Sequence, residues 1–246
     1  MLAFFALVAA GFVAAVVNVL AGGGSFLTLP LLIFLGLPAT EANATNRVGV
    51  VAQNAGAVWA FHRHRVLDSR WALAVAAPGL LGAALGAWLA LHVGDRTFQR
   101  LLALIMLVLA LWTLAAPRER WPGAGDCLRR HRFVLQAGFF GAGLYAGFVQ
   151  AGVGFLILAL TTLAGFDLVR GNAVKVLCIL LQTSLALVIF AAGGKVQWVA
   201  GLALATGSLL GSALGVRLVV LKSQRWLQRV VTTTIVLFAL RLLFSG

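Results

Sequence analysis

Apolar residues in this chain fall in long unbroken runs rather than at helical or strand intervals. The runs are 2–20, 26–37, 42–61, 71–92 and 98–116. A polar stretch from Pro117 to Arg132 follows, and then come runs at 133–151, 153–165, 169–192, 197–220 and 226–244. Each set has one rhythm: a run, a short run after glycines, then three runs of about 20 residues, enough to span a bilayer core. The second run of each set is too short to span unaided. The pattern predicts an all-α polytopic membrane protein with about 8–10 membrane segments. It divides into a first transmembrane repeat (1–116), a basic linker (117–132) and a second repeat (133–246).

The division reflects an internal repeat. Adding 129 to a residue number places Gly23 on Gly152, Phe26 on Phe155, Gly36 on Gly165 and Asn43 on Asn172. The same register puts Gln53 on Gln182, Phe61 on Phe190, Gly82 on Gly211, Gly86 on Gly215 and Arg100 on Arg229. Chance matches of Leu or Ala are cheap in such a composition. Matches of Gly, Asn, Gln and Arg in one register are not. Two fused copies of one unit are a hallmark of secondary transporters.

Basic residues set the expected orientation. They gather at Arg63, Arg65 and Arg70, again at Arg118, Arg120, Arg129, Arg130 and Arg132, and again at Lys222, Arg225 and Arg229. The positive-inside rule wants all three groups in the cytoplasm. All three comply only if the split pair at 133–165 makes an even number of crossings: two, or none as a re-entrant hairpin. Each half then crosses an odd number of times, the repeat is inverted, and both termini lie outside. Trp71, Trp121, Trp198 and Trp226 stand at run ends, where amphipathic rings anchor at the interface. Gly82-xxx-Gly86, Gly207-xxx-Gly211 and Gly211-xxx-Gly215 read as helix-contact faces.

Composition agrees with the pattern. The chain has 246 residues, 62% hydrophobic and 10% charged, with a mean hydropathy of +1.03; soluble domains carry about 25% charged residues. The net charge of +13 sits in the gaps between runs, as in cytoplasmic loops, and does not point to nucleic acid. Cys127 and Cys178 suggest neither a disulfide framework nor a metal site. The N-terminus has no basic n-region, so 1–20 reads as a retained span rather than a signal peptide.

The candidate chemistry starts at the glycines. "AGGGSFLTLP", Ala21 to Pro30, interrupts an apolar stretch, and glycine is costly inside a helix. Bare backbone at membrane depth is tolerated where protein buries it or it lines a polar cavity. The helix after the break offers free N–H groups at Gly22, Gly23, Gly24 and Ser25, with Ser25 a candidate N-cap. A helix start of this kind is an anion site. Its mirror is Gln150-Ala151-Gly152-Val153-Gly154. The alternative is that the glycines serve only tight helix packing. No Gly-Lys-Ser/Thr follows, so "GGGS" is not a phosphate-binding loop of the P-loop kind.

A second polar cluster opens the third run. "EANATNR", Glu41 to Arg47, supplies Asn43, Thr45 and Asn46, with Gln53 and Asn54 beyond. Its mirror "RGNAVKV", Arg170 to Val176, supplies Asn172 and Lys175, with Gln182, Thr183 and Ser184 beyond. Lys175, on the Asn46 position, is expensive at that depth unless it faces a cavity or partner. It either contacts an anion or snorkels to the cytoplasmic surface; Arg47 poses the same question nearer a run end. All six acids lie at run ends or in loops, so no carboxylate proton relay is visible. No metal-ligand spacing, cofactor motif or nucleophile–base pair appears, which reads as a non-enzyme without cofactors.

The stretch Ala21 to Val50, with its glycine cluster, Leu-x-x-Pro, Gly-x-x-Pro and Ala-x-x-Thr-Asn, resembles the sulfite exporter TauE/SafE family of membrane permeases. "HRHRVLDSRW" is similar to the family's basic loop. The second half follows more loosely, with Gly152 and Gly154 but no triple glycine, and Val174-Lys175 where Thr45-Asn46 stand. The resemblance implies export of sulfite, sulfonates or related organosulfur anions across the bacterial inner membrane. Alternating access would be driven by a proton or sodium gradient, though no coupling residue stands out. An anion channel and a membrane assembly factor are the rival classes. The sequence leaves the oligomeric state open.

Overall fold

The computed structural model describes residues 2–115 and 132–221. Among these residues the fold is all helix. The first half gives α1 (Leu2–Ala21), α2 (Ser25–Phe34), α3 (Ala39–Arg63), α4 (Ser69–His92) and α5 (Asp95–Ala115). The second gives α6 (Arg132–Phe148), α7 (Val153–Leu163), α8 (Leu168–Ala192) and α9 (Trp198–Leu221). The linker, the last run, Trp121, Trp226, Cys127 and the third basic group lie outside the described residues.

Four described helices, α1, α4, α8 and α9, are long and apolar enough to cross a membrane. The run in α3, expected to span, falls short of that apolarity. In α3 the polar residues Asn43, Thr45, Asn46, Arg47, Gln53 and Asn54 are all buried in protein. In α5 the charges Asp95, Arg96 and Arg100 crowd the first turns. Asp95 also fixes that end: its Oδ1 accepts from the Thr40 amide and hydroxyl, both at 2.9 Å.

Helix contacts fix relative direction. Gly49 lies against Leu204 and Ser208, and Gly56 against Ser212, so α3 and α9 run the same way. Gly207 lies against Val8, Gly211 against Phe12 and Gly215 against Val19, so α1 runs with them. Gly82 lies against Phe140 and Leu144, and Gly86 against Leu144 and Phe148, making α4 and α6 parallel. The Cys178 thiol faces the Ala72 carbonyl while Gly193 meets Leu91, so α8 runs with α4. The two groups oppose each other: Arg47 stacks over Phe190 at 4.8 Å, whereas Phe61 clusters with Ala173 and Val176.

Lipid gives apolar helices little reason to associate, so close backbone approach through small residues does that work. A Cβ on Gly82, Gly86, Gly207 or Gly211 would strike a backbone oxygen of the neighbouring helix. The glycine spacings are contact faces, as expected. They join α4 to α6 and α1 to α9, so each half's first helix packs on the other half.

The short helices double back. Gly24 lies against Ala14 and Asn18 of α1, and Gly138 of α6 lies against Leu160 of α7. Both then close on the next long helix through a left-handed glycine, Gly36 (φ 97°) and Gly165 (φ 88°). Trp71 is half-buried, packed on Phe166 at 4.5 Å and Phe139 at 6.0 Å, while Trp198 is exposed.

Candidate functional site

The two glycine segments meet. Gly22, at φ 88°, lies with its Cα against the Gly154 backbone, so closely that a Cβ there would stand 2.6 Å from the Gly154 carbonyl carbon. Gly152 takes φ 76° as the residue before α7. Gly23 sits between Gly22 and the α2 start, buried like its neighbours. Phe26 and Phe155, equivalent in the 129-residue register, stack across the contact at 6.5 Å.

Around the first segment, neutral donors and acceptors converge. Asn46 accepts from the Thr28 hydroxyl at 2.6 Å and donates to Ser25 Oγ at 3.1 Å. Gly24, Ser25, Thr28, Asn46, Gln53 and Ser208 line one narrow pocket too tight for water. Gln53 is 3% exposed and its Nε2 has no partner. The expected N-cap role of Ser25 is corrected here. Gly24 holds the cap position with helical φ and ψ and no side-chain cap bond. Ser25 is already inside the helix, so its hydroxyl turns to Asn46.

Around the second segment, residues of α3 act as a clamp. Asn43 Nδ2 donates to the Phe148 carbonyl at 3.0 Å, and its Oδ1 accepts from the Gln150 amide at 3.2 Å. Arg47 donates through Nη1 to Ala146 O at 2.9 Å and Gln150 Oε1 at 3.1 Å, and through Nη2 to Gly147 O at 2.6 Å. The Thr183 hydroxyl donates to the same Gln150 oxygen at 3.0 Å.

Lys175 does the reciprocal job. Its Nζ donates to Asn18 O and Val19 O, both at 3.1 Å, and to Asn172 Oδ1 at 2.5 Å. Asn172 in turn donates to Leu168 O at 2.9 Å. The snorkelling reading of Lys175 is overturned: the residue is fully buried and its ammonium is held by α1. Arg47 is likewise fully buried, well inside α3 rather than at its end. Each cation thus binds the last-turn carbonyls of the opposite half's first helix. That is the negative end of a helix dipole, worth about half an elementary charge.

Gln182, the register partner of Gln53, is fully buried with both amide atoms unpartnered, and its Nε2 stands where a Cβ of Gly79 would go. The structure brings Ser25 to Asn46, Asn43 to Gln150, and Gly22 to Gly154, pairs Asn172 with Lys175 at the end of α1, and leaves Gln182 apart, against Gly79 of α4. Arg47, Thr28 and Thr183 join them without having been selected as site residues. Thr28 was findable, being one turn beyond Ser25 on the same helix face.

Among the described residues no carboxylate pairs with Arg47 or Lys175. The salt bridge among the described residues is Arg170 with Asp167 at 3.6 Å, both exposed. Isolating a charge in a low-dielectric interior costs several kcal/mol even after relaxation, and the helix-end carbonyls offset part of that cost for each cation. No group of three His, Cys, Asp or Glu able to hold a metal occurs among the described residues.

Four apolar bilayer-length helices around buried polar residues define a multi-pass helical membrane protein. The chain belongs to the sulfite exporter TauE/SafE family, whose profile matches residues 7–242. It is 30% identical to the probable membrane transporter protein YfcA of Escherichia coli K12, over 99% of this chain and 89% of that one. It is also 30% identical to a probable membrane transporter protein of Haemophilus influenzae, over 87% and 84%. With the probable membrane transporter protein ORF9 of a Sinorhizobium species it shares 27%, over 95% and 90%. No solved structure matches it.

Proposed function

We propose that the chain is a secondary transporter exporting small sulfur-containing anions, namely sulfite, sulfonates or related organosulfur acids, across the bacterial inner membrane by alternating access. One observation carries the choice of an anion: Arg47 and Lys175 are both fully buried with only neutral oxygens as partners. A buried pair of cations without a carboxylate repels metal ions and protons and favours an anionic guest. The surrounding hydroxyls and amides of Ser25, Thr28, Asn46, Gln53, Gln150 and Thr183 suit a sulfur oxyanion's several acceptor oxygens.

Helix directions support an inverted repeat. The register carries α3 onto α8 and α4 onto α9, and each such pair runs in opposite senses. The doubled-back α1–α2 and α6–α7 units suit re-entrant hairpins that make no net crossing. Hairpins of that kind put the described basic residues Arg63, Arg65, Arg70 and Arg132 together on the cytoplasmic side. The meeting of Gly22 and Gly154 would lie near the midplane, where transporters of this kind bind substrate. The pocket at Ser25, too tight for water, suits a gated site rather than a standing pore.

The test is flux in proteoliposomes holding only the purified protein. Sulfite or a simple sulfonate should exchange saturably, at rates below channel conductance. Single-channel currents would establish the anion-channel alternative, and absence of flux for every small sulfur anion would reject the proposal.

A further inference from the structure

Donor counting separates the two buried cations. The Lys175 ammonium has three N–H donors, and three acceptors take them: Asn18 O, Val19 O and Asn172 Oδ1. The Arg47 guanidinium has five. Three bonds are made, all through Nη1 and Nη2, and Nε is buried without a partner. A saturated cation supplies charge, whereas an unsaturated one can still take a ligand.

The acceptor shared by Arg47 gives the position. Gln150 Oε1 receives Arg47 Nη1 at 3.1 Å and Thr183 Oγ1 at 3.0 Å. One guanidinium N–H and a hydroxyl converging on one carboxamide oxygen make the surroundings that a sulfonate or sulfite oxygen requires. Arg47 comes from α3, Thr183 from α8 and Gln150 from the second glycine segment, so the seat joins all three elements. Phe190 backs the guanidinium at 4.8 Å and holds its plane.

We propose that Arg47 and Thr183 form the anion seat, occupied here by the Gln150 carboxamide as an internal surrogate, and that Lys175 is a positioning residue that holds the end of α1. The transported anion enters by displacing Gln150 Oε1 and takes the Arg47 Nε donor as well. Gln150 then releases the second glycine segment, which couples binding to movement. This rests on the reading of the substrate as an anion.

The experiment measures sulfite and methanesulfonate binding by thermal stabilisation of the purified protein, with KM and maximal flux from proteoliposomes. Arg47→Lys keeps the charge but loses the fork; Thr183→Val keeps the shape and loses the hydroxyl. Each should raise KM about tenfold or more, the effect of a lost charge-assisted hydrogen bond. Gln150→Ala removes the surrogate and should tighten anion binding severalfold. Lys175→Gln should lower maximal flux with KM within about threefold. Wild-type KM in Thr183→Val, together with unchanged binding in Gln150→Ala, would overturn the seat. If no anion stabilises or crosses with the wild-type protein, the anion reading itself falls, and the seat falls with it.

Discussion

Adding one methyl group at Gly154 tests whether contact between the two glycine segments is functional. A Cβ there would meet Gly22 Cα, and would stand 2.9 Å from Gly22 O and 3.1 Å from Gly22 C. All three are backbone atoms on a buried segment, so the overlap cannot be relieved by turning a side chain. Overpacking of this sort costs about 1–3 kcal/mol. Two controls divide the causes. Gly36→Ala carries φ 97° with nothing within 4 Å of its Cβ, so it reads backbone strain alone, about 1–2 kcal/mol. Gly22→Ala combines φ 88° with a clash against Gly154 and should cost the sum, about 2–5 kcal/mol. At roughly 2–4 °C per kcal/mol for a chain of this size, Gly154→Ala and Gly36→Ala should lower the melting temperature by similar amounts. Flux in proteoliposomes should not follow stability: Gly36→Ala should transport normally, and Gly154→Ala should lose about tenfold or more. Normal flux in Gly154→Ala, or equal loss in Gly36→Ala, would refute a working contact between the segments.

Three other substitutions probe the surrounding network. Gln53→Leu removes a buried amide whose Nε2 lacks a partner; it should raise stability by about 1 kcal/mol while lowering flux, read by melting and transport together. Lys175→Gln should weaken anion transport yet fold, because losing its three hydrogen bonds is offset by removing a desolvated charge; circular dichroism and flux check both halves. Asp95→Ala frees the Thr40 amide and hydroxyl and should cost about 1–2 kcal/mol, with KM unchanged.

The positions of the breaks were legible because glycine and polar residues are conspicuous against hydrocarbon. So were the 129-residue register and the small-residue faces, since both rest on residue type and spacing. The partners of the buried cations were not. Lys175 looked equally able to snorkel or to face a ligand because local hydropathy says nothing about what packs above it; the answer came from α1, far away in sequence. Arg47 looked peripheral because apolar runs end before polar clusters, although α3 continues through "EANATNR" as buried helix. Ser25 has the right chemistry for an N-cap, but Gly24 adopts helical angles and shifts the helix start by one residue. In the 129-residue register Ile157 stands opposite Thr28 and Gly79 opposite Ser208, so the polar pocket at Ser25, which draws Ser208 from the second half, has no polar counterpart at those two positions.

The central claim is that a small sulfur-containing anion is the guest of this buried cationic crossing. The most direct measurement is a thermal-stabilisation panel on the purified protein with sulfite, methanesulfonate, phosphate, chloride and a neutral sulfone of matched size. Sulfite or the sulfonate should stabilise saturably, the sulfone should not, and in Thr183→Val the response should move to about tenfold higher anion concentration. Stabilisation by the neutral sulfone alone, or by none of the anions, would contradict the account.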